Sequence, residues 1–217
     1  MDDDKFMSLC RFVDECFKDA SQNKSKCIQD LLNMEGMTGT MTRHLYNNLC
    51  SLKKENGEKV NYLEIGCYKG SSTVSALYGN MENLCVTAID NWSEFNGPKD
   101  VFIHNMKHMF GDNKNIQILN EDSFNLKSKL AHAPYDIYLY DGDHSVESHK
   151  RAITDYWDSL ADKCIIMIDD WCWEQVRIGT FMGFEQVNYK NVYKLEITEP
   201  SGGQGYWNGC CIFLIDK

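Results

Sequence analysis

The sequence predicts an α/β fold, a doubly wound and mostly parallel seven-stranded sheet that ends in a C-terminal antiparallel hairpin. Two observations support this prediction. Five short apolar runs between residues 60 and 168 alternate with segments of helical periodicity, which is the chain plan of a parallel sheet with helices on both faces. Two further apolar runs, 191–197 and 210–215, follow with only a glycine-rich connection between them, and such a connection suits an antiparallel pair.

The length and composition predict one globular domain. The chain has 217 residues, of which 43% are hydrophobic and 25% are charged. We expect a single domain over 1–217, in which a helical N-terminal layer (1–56) precedes an α/β core (57–217). The formal net charge of −10 argues against a nucleic-acid backbone or an anionic membrane as the main partner.

The cysteines and the N-terminus predict a cytoplasmic protein. The ten cysteines are scattered without a C-x-x-C pair, so we expect reduced thiols. Residues 1–5 are acidic where a signal peptide would be basic. No apolar run approaches the length of a membrane span.

The individual elements follow from the spacing of apolar side chains, which recur every three or four residues in helices and form short runs in strands. Helices are predicted over 5–20, 41–54, about 124–130 and about 146–160, and two more begin near Ser71 and Pro98. Strands are predicted over 60–65, 84–89, 116–119, 135–140 and 164–168. Glycines mark 34–40 as a loop.

The turn after the first strand carries the first functional signal. Glu64 and Gly66 end the strand, and Gly70 precedes the helix, giving E-x-G-x-x-x-G where a dinucleotide fingerprint would have G-x-G-x-x-G. Backbone N–H groups at a helix start can face a ligand, and glycines let it come close. The pattern resembles the first motif of class I S-adenosylmethionine-dependent methyltransferases, although an ordinary strand–turn–helix corner would also explain it.

Acidic residues also end the second and third strands. Asp90 lies 26 positions after Glu64, where a carboxylate can accept both ribose hydroxyls, although a cap or turn role is the alternative. The resemblance puts Asp122 and Ser123 near the adenine edge, with helix capping as the alternative for Asp122. It implies that Trp92 covers the adenine face, unless it is a core residue, and that Thr38 lies near the methionine end.

The fourth and fifth strands end in the chemically richest cluster. Their carboxyl ends converge in this fold, so Asp141, Asp169 and Asp170 could offer three oxygen ligands to a hard divalent cation such as Mg²⁺. His144, three residues after Asp141, could act as general base for a substrate hydroxyl. The alternatives are a helix cap, solvated turn residues and a structural histidine.

With this cluster, the chain resembles the small metal-assisted O-methyltransferases, of the catechol and caffeoyl-CoA type and the macrolide-sugar type. The resemblance implies transfer of a methyl group from S-adenosylmethionine to a hydroxyl of a small molecule, sugar or phenol-like, with Mg²⁺ or another hard divalent cation. His144 stands where the catechol branch has lysine. The implied residues are His144 and Asp141 for catalysis; Asp141, Asp169 and Asp170 for the metal; and Thr38, Glu64, Gly66, Tyr68, Gly70, Ser72, Asp90, Trp92, Asp122, Ser123 and Asp141 for the cofactor.

Two other classes of function stay open at this point. One is a non-catalytic or regulatory protein that binds S-adenosylmethionine. The other is an NAD-dependent oxidoreductase, which the missing third glycine and the terminal hairpin disfavour. Trp171, Trp173 and the loop 202–207 are candidate substrate walls.

Overall fold

The structure is a computed structural model that describes residues 2–126, 130–199 and 203–217. Its centre is one mixed β-sheet. Within these residues, seven strands pair in the order β3-β2-β1-β4-β5-β7-β6. Strands β1 to β5 are parallel, and β7 runs antiparallel to both β5 and β6. The predicted fold class is therefore confirmed. The strands are β1 (Val60–Ile65), β2 (Leu84–Ile89), β3 (Ile116–Leu119), β4 (Tyr135–Tyr140), β5 (Leu160–Asp169), β6 (Asn191–Ile197) and β7 (Cys210–Asp216).

Helices cover both faces of this sheet. Helices α1, α3, α4 and α5 contribute to one apolar cluster, and α6 and α7 contribute to a second. The central strand β1 serves both clusters, because Tyr62 belongs to the first and Leu63 to the second. The helices are α1 (Asp2–Ala20), α2 (Gln29–Leu32), α3 (Thr40–Leu49), α4 (Ser71–Leu77), α5 (Lys99–Phe110), α6 (Val146–Thr154) and α7 (Glu174–Phe184).

The strands match their predicted bounds better than the helices do. Strand β5 begins at Leu160, four residues before its predicted start, so the helix predicted over 146–160 ends at Thr154 and a 3₁₀ turn follows. That turn keeps Trp157 at near-helical spacing, which explains the error. Helix α3 ends at Leu49, not at residue 54. None of the described helices is both long and apolar enough to cross a membrane.

Two further segments differ from the sequence prediction. Helix α7 was not predicted from the sequence. Where a helix was predicted over 124–130, the structure has a 3₁₀ turn, Ser123–Asn125, and residues 127–129 lie outside the described part of the chain. The domain division between residues 56 and 57 stays a prediction.

The turn at Gly66 sets the spacing between the carboxyl ends of β1 and β4. Gly66 has a φ of 88°, and a Cβ atom there would lie 1.8 Å from the backbone oxygen of Asp141. Only glycine allows this approach. The N–H of Asp141 also donates to the carbonyl of Ile65 at 2.8 Å. The first strand therefore fixes the backbone of a predicted catalytic residue.

Candidate active site

A cavity of about 650 Å³ lies beyond the carboxyl ends of the parallel strands. This is where open α/β sheets bind their ligands. Most of the residues predicted for the site line it: Gly66, Tyr68, Asp90, Trp92, Asp122, Ser123, Asp141, His144, Asp169 and Asp170. Thr38, Glu64, Gly70 and Ser72 are not among its lining residues.

Asp90 connects the two loops at one side of the cavity. Its Oδ2 accepts a hydrogen bond from the N–H of Tyr68 at 2.8 Å, and its Oδ1 accepts one from the N–H of Trp92 at 2.6 Å. Each carboxylate oxygen can accept a further hydrogen bond. Asp90 therefore has the turn role that the sequence analysis gave as the alternative. This role leaves room for a contact to ribose, which stays a prediction.

Trp92 and Asp122 also have structural roles beside their predicted ones. The indole of Trp92 donates to the carbonyl of Tyr68 at 2.8 Å, and its ring packs against Phe102, so little of the side chain is exposed. Asp122 accepts from the N–H of Phe124 at 2.9 Å and so caps the 3₁₀ turn. Their adenine contacts stay predictions.

Glu64 is buried beneath the turn that it was predicted to serve. Its carboxylate accepts hydrogen bonds from the hydroxyls of Tyr62 at 2.6 Å, Ser72 at 2.6 Å and Thr73 at 2.8 Å. Burial raises the pKa of Glu64 to about 7, although these three hydrogen bonds act to lower it. Glu64 and Ser72 therefore bind each other and join β1 to α4.

The remaining residues outside the cavity lie near that corner. The Thr38 hydroxyl hydrogen-bonds that of Ser71 at 2.8 Å, which joins the loop before α3 to α4. Gly70 has a φ of 90° and directly precedes α4. The predicted cofactor roles of Thr38, Glu64, Gly70 and Ser72 stay predictions.

The raised pKa of Glu64 predicts a pH dependence of stability. An ordinary glutamate releases its proton near pH 4.5, whereas Glu64 in the folded protein does so near pH 7. The folded state therefore binds the proton more tightly than the unfolded state does. The contribution of Glu64 to the free energy of unfolding, roughly 3 kcal/mol in all, is lost as the pH rises through about 7. We expect Glu64→Gln to remove that part of the fall in unfolding free energy, measured by denaturant titration without cofactor between pH 4.5 and 8. Identical pH profiles for both proteins would contradict this pKa.

Three potential metal ligands meet at the other side of the cavity. Asp141, His144 and Asp170 each offer one ligand atom, and these atoms all lie within 4.8 Å of one another. The Nε2 atom of His144 lies 2.7 Å from Oδ2 of Asp170 and 3.9 Å from Oδ1 of Asp141. Although it is buried, this nitrogen has no hydrogen bond of acceptable geometry. The imidazole and the two carboxylates are therefore in close contact without a well-aligned hydrogen bond between them.

The predicted membership of this cluster changes in one respect. Asp169 lines the same cavity and is buried, but it is not part of the group within 4.8 Å. Its carboxylate accepts instead from the N–H of Asp170 at 3.0 Å. His144, predicted as the base, takes its place in the group. The structure thus brings together two of the three predicted carboxylate ligands and the predicted base.

The cluster concentrates negative charge in a buried place. Burial raises the pKa of Asp141 to about 6, and the neighbouring Asp170 adds to this rise while His144 opposes it. Burial and then the charges of Asp141 and Asp170 raise the pKa of Asp169 well above its usual range. Burial acts to lower the pKa of His144, but the carboxylates of Asp141 and Asp170 outweigh it and raise the pKa to about 10. Adjacent carboxylates of this kind favour a bound cation.

Aromatic side chains border the cluster. Trp173 is 38% exposed, and its ring meets that of His144 edge-on with a centroid distance of 4.7 Å. Trp207 also lines the cavity, whereas Trp171 is fully buried and packs against Phe213, so the prediction that Trp171 forms a substrate wall is wrong. Residue 202 of the predicted wall loop lies outside the described residues.

Sequence reasoning missed a number of further lining residues, among them Met37, Phe95 and Asn208. Met37 lies in the glycine loop 34–40, which offered a weak signal. Asn208 belongs to the connection between β6 and β7, and no motif or periodicity marks it.

The sheet order, the helices on both faces and the cavity at the strand ends are typical of α/β proteins that bind a nucleotide-like cofactor. A family model described as a methyltransferase domain matches residues 63–171, half of the chain. The chain belongs to this family and is an S-adenosylmethionine-dependent methyltransferase. No curated protein matches it.

Solved structures share the fold over nearly the whole chain. An O-methyltransferase from Bacillus cereus in complex with SAH is 14% identical, with a TM-score of 0.60 and coverage of 94% of this chain and 90% of that one. A SAH-bound methyltransferase from Podospora anserina is 14% identical, with a TM-score of 0.58 and coverage of 99% and 95%. A protein from Corynebacterium glutamicum is 15% identical, with a TM-score of 0.60 and coverage of 94% and 89%.

Proposed function

We propose that this methyltransferase acts on a hydroxyl group of a small sugar or phenol-like molecule, with the assistance of Mg²⁺ or another hard divalent cation. The observation that carries the proposal is the group formed by Asp141, His144 and Asp170 at the cavity. Two carboxylates suit Mg²⁺, Ca²⁺ or Mn²⁺, and an imidazole among the ligands favours Mn²⁺ within that set. Asp169, next to Asp170 in the chain, lines the same cavity, where burial and the charges of Asp141 and Asp170 raise its pKa.

The charge of the cavity supports an acceptor without anionic groups. Among its described lining residues are eight carboxylates and no lysine or arginine. A phosphate or carboxylate on the acceptor would be repelled, because the imidazolium of His144 already faces Asp141 and Asp170, and none of the described lining residues is a lysine or arginine. Aromatic walls, including Phe95, Trp173 and Trp207, suit the flat or apolar faces of a phenol or a sugar.

The chemistry is an in-line attack of the acceptor oxygen on the methyl carbon, as the bond from that carbon to sulfur breaks. When bound, a hard divalent cation lowers the pKa of the acceptor hydroxyl. Asp141 and Asp170 would hold that cation, and Asp90 would hold the cofactor's ribose. The task of the protein is to fix the two reactants in line.

His144 has two possible duties in this proposal, as base or as ligand. With a pKa of about 10 it is an imidazolium at neutral pH and cannot accept a proton. With a cation held by Asp141 and Asp170, those carboxylates would raise the pKa of His144 less. His144 would then be neutral and would accept the hydroxyl proton, or it would serve as a third ligand.

A methyl-transfer assay tests the proposal. The protein would be incubated with methyl-labelled S-adenosylmethionine, Mg²⁺ or Mn²⁺, and matched neutral and phosphorylated phenols and sugars. We expect label on the oxygen of neutral acceptors only. Transfer to nitrogen or carbon, or a preference for phosphorylated acceptors, would contradict it. Tight cofactor binding with no transfer would favour the non-catalytic alternative, whereas family membership argues against the NAD-dependent one.

Asp90→Ala should weaken S-adenosylmethionine binding by about 1–3 kcal/mol, the range for losing a hydrogen-bond partner to a charged group. Calorimetry with S-adenosylhomocysteine measures this. Asp90→Asn is the matched variant, because it keeps an acceptor for one of the backbone N–H groups of Tyr68 and Trp92. Unchanged affinity in Asp90→Ala would overturn the ribose assignment.

We also propose a single domain and a cytoplasmic location. All ten cysteines are free, with most of them buried. A reducing compartment keeps such thiols unpaired.

A further inference from the structure

We propose that Asn208 is a positioning residue for the candidate metal cluster, in which its side-chain amide fixes the carboxylate of Asp170. This inference rests on the metal-assisted function proposed above. Asn208 lies in the connection between β6 and β7, 38 residues along the chain from Asp170.

The two oxygens of Asp170 are divided between two partners. The Asn208 amide donates to Oδ1 at 2.7 Å, and Oδ2 lies 2.7 Å from Nε2 of His144. Because the amide occupies one oxygen, it fixes the rotation of the carboxylate and keeps the other oxygen turned to the cluster. Outer hydrogen-bond partners orient metal ligands in this way.

The backbone around Asp170 needs the same support. Asp170 has a φ of 53°, a left-handed conformation that persists only where surrounding contacts hold it. The connection supplies these contacts: the N–H of Cys172 donates to the carbonyl of Asn208 at 2.8 Å, and the N–H of Trp171 donates to that of Gly209 at 3.2 Å. The turn after β5 is therefore bound to the segment that carries the amide.

The other end of this segment is attached to helix α3. The carbonyls of Gly203 and Gly205 accept hydrogen bonds from Thr40 at 3.0 Å and Met41 at 3.1 Å, in the first turn of α3. A Cβ atom on Gly39 would lie 2.2 Å from the Gly205 oxygen, so the two backbones are in close contact. Residues 203–209 thus form a strap between α3 and the turn after β5, and Asn208 is positioned by both.

The variant Asn208→Gly isolates the amide. Asn208 has a φ of 61°, which glycine adopts without strain, so the strap keeps its backbone while the hydrogen bond to Asp170 is lost. Mn²⁺ is the probe, and its dissociation constant is measured by electron paramagnetic resonance of the free ion in the presence of S-adenosylhomocysteine. We expect the constant to rise about 10-fold to 100-fold, the usual effect of removing an outer partner of a metal ligand.

The control is Asn105→Ala. The Asn105 amide donates to the carbonyl of Lys69 at 2.8 Å, in another part of the chain, so its loss should leave the Mn²⁺ constant unchanged. Affinity for S-adenosylhomocysteine should stay within twofold in Asn208→Gly. A merely structural role of Asn208 would lower the melting temperature without changing the Mn²⁺ constant.

The outcomes separate this inference from the function on which it rests. If wild-type protein binds no Mn²⁺, the metal-assisted function fails. If wild-type protein binds Mn²⁺ and Asn208→Gly binds it equally well, the positioning role is overturned while the metal site stands. Should Asn208→Gly not fold, Asn208→Ser, whose shorter hydroxyl does not reach Asp170, is judged by the same criterion.

Discussion

Removal of divalent metal should abolish methyl transfer while S-adenosylhomocysteine affinity stays within about twofold. An alcohol or phenol is a poor nucleophile at neutral pH, and a cation that lowers its pKa is worth several kcal/mol, or roughly 10³-fold in rate. Asp141→Asn and Asp170→Asn should reproduce this loss, because each removes a charged ligand from the cluster. The measurement is turnover in excess chelator and after Mg²⁺ or Mn²⁺ is added back, with calorimetry for the cofactor.

A matched control is available on β5 itself. Asp162 is exposed near the start of the strand, at the opposite end from Asp169 and Asp170, so Asp162→Asn should keep wild-type turnover and chelator sensitivity. Asp169→Asn tests whether Asp169 is itself a metal ligand or only a neighbour of the ligands, because Asp169 lies outside the group whose atoms are within 4.8 Å of one another.

Full activity in excess chelator would rule out metal assistance. His144 would then be the sole candidate base, and the carboxylates would be caps and turn residues.

The location of the site could be predicted because parallel strands end at one edge of the sheet. Asp90 follows β2 and Asp141 follows β4, and both line the cavity. Glu64 shows the limit of this reasoning. It is the last but one residue of β1, not the residue after it, so its side chain follows the pleat into the interior and meets Tyr62, Ser72 and Thr73. A shift of one or two positions decides whether a carboxylate lines the cavity or lies buried beneath it.

Helix α7 and Asn208 could not be predicted for different reasons. The apolar residues of α7 include the buried Val176 and Phe184 and the exposed Ile178 and Met182, so no single apolar stripe marks the helix. Asn208 acquires its contact only when the β6–β7 connection folds against the end of β5, and local sequence carries no signal of that meeting. Likewise, the sequence placed His144 three residues after Asp141, but it carried no signal that the shorter contact of His144 is to Asp170, which directly follows β5.

His144→Ala should lower kcat by about 10²-fold to 10⁴-fold if His144 is the general base, with cofactor affinity little changed. The wild-type rate should rise with pH, because only a neutral imidazole accepts a proton, and the variant should lose that rise. His108→Ala is the control, since His108 is exposed on α5, and it should behave as wild type.

The Mn²⁺ dissociation constant of His144→Ala decides between the two duties of this residue. A base that does not bind the ion would leave the constant near its wild-type value, since Asp141 and Asp170 remain. If His144 is a ligand, its replacement should raise the Mn²⁺ dissociation constant, because one of the three grouped ligand atoms is lost. If turnover, pH profile and Mn²⁺ affinity were all those of the wild type, both duties would be wrong. The contacts of His144 with Asp170 and Trp173 would then be structural only.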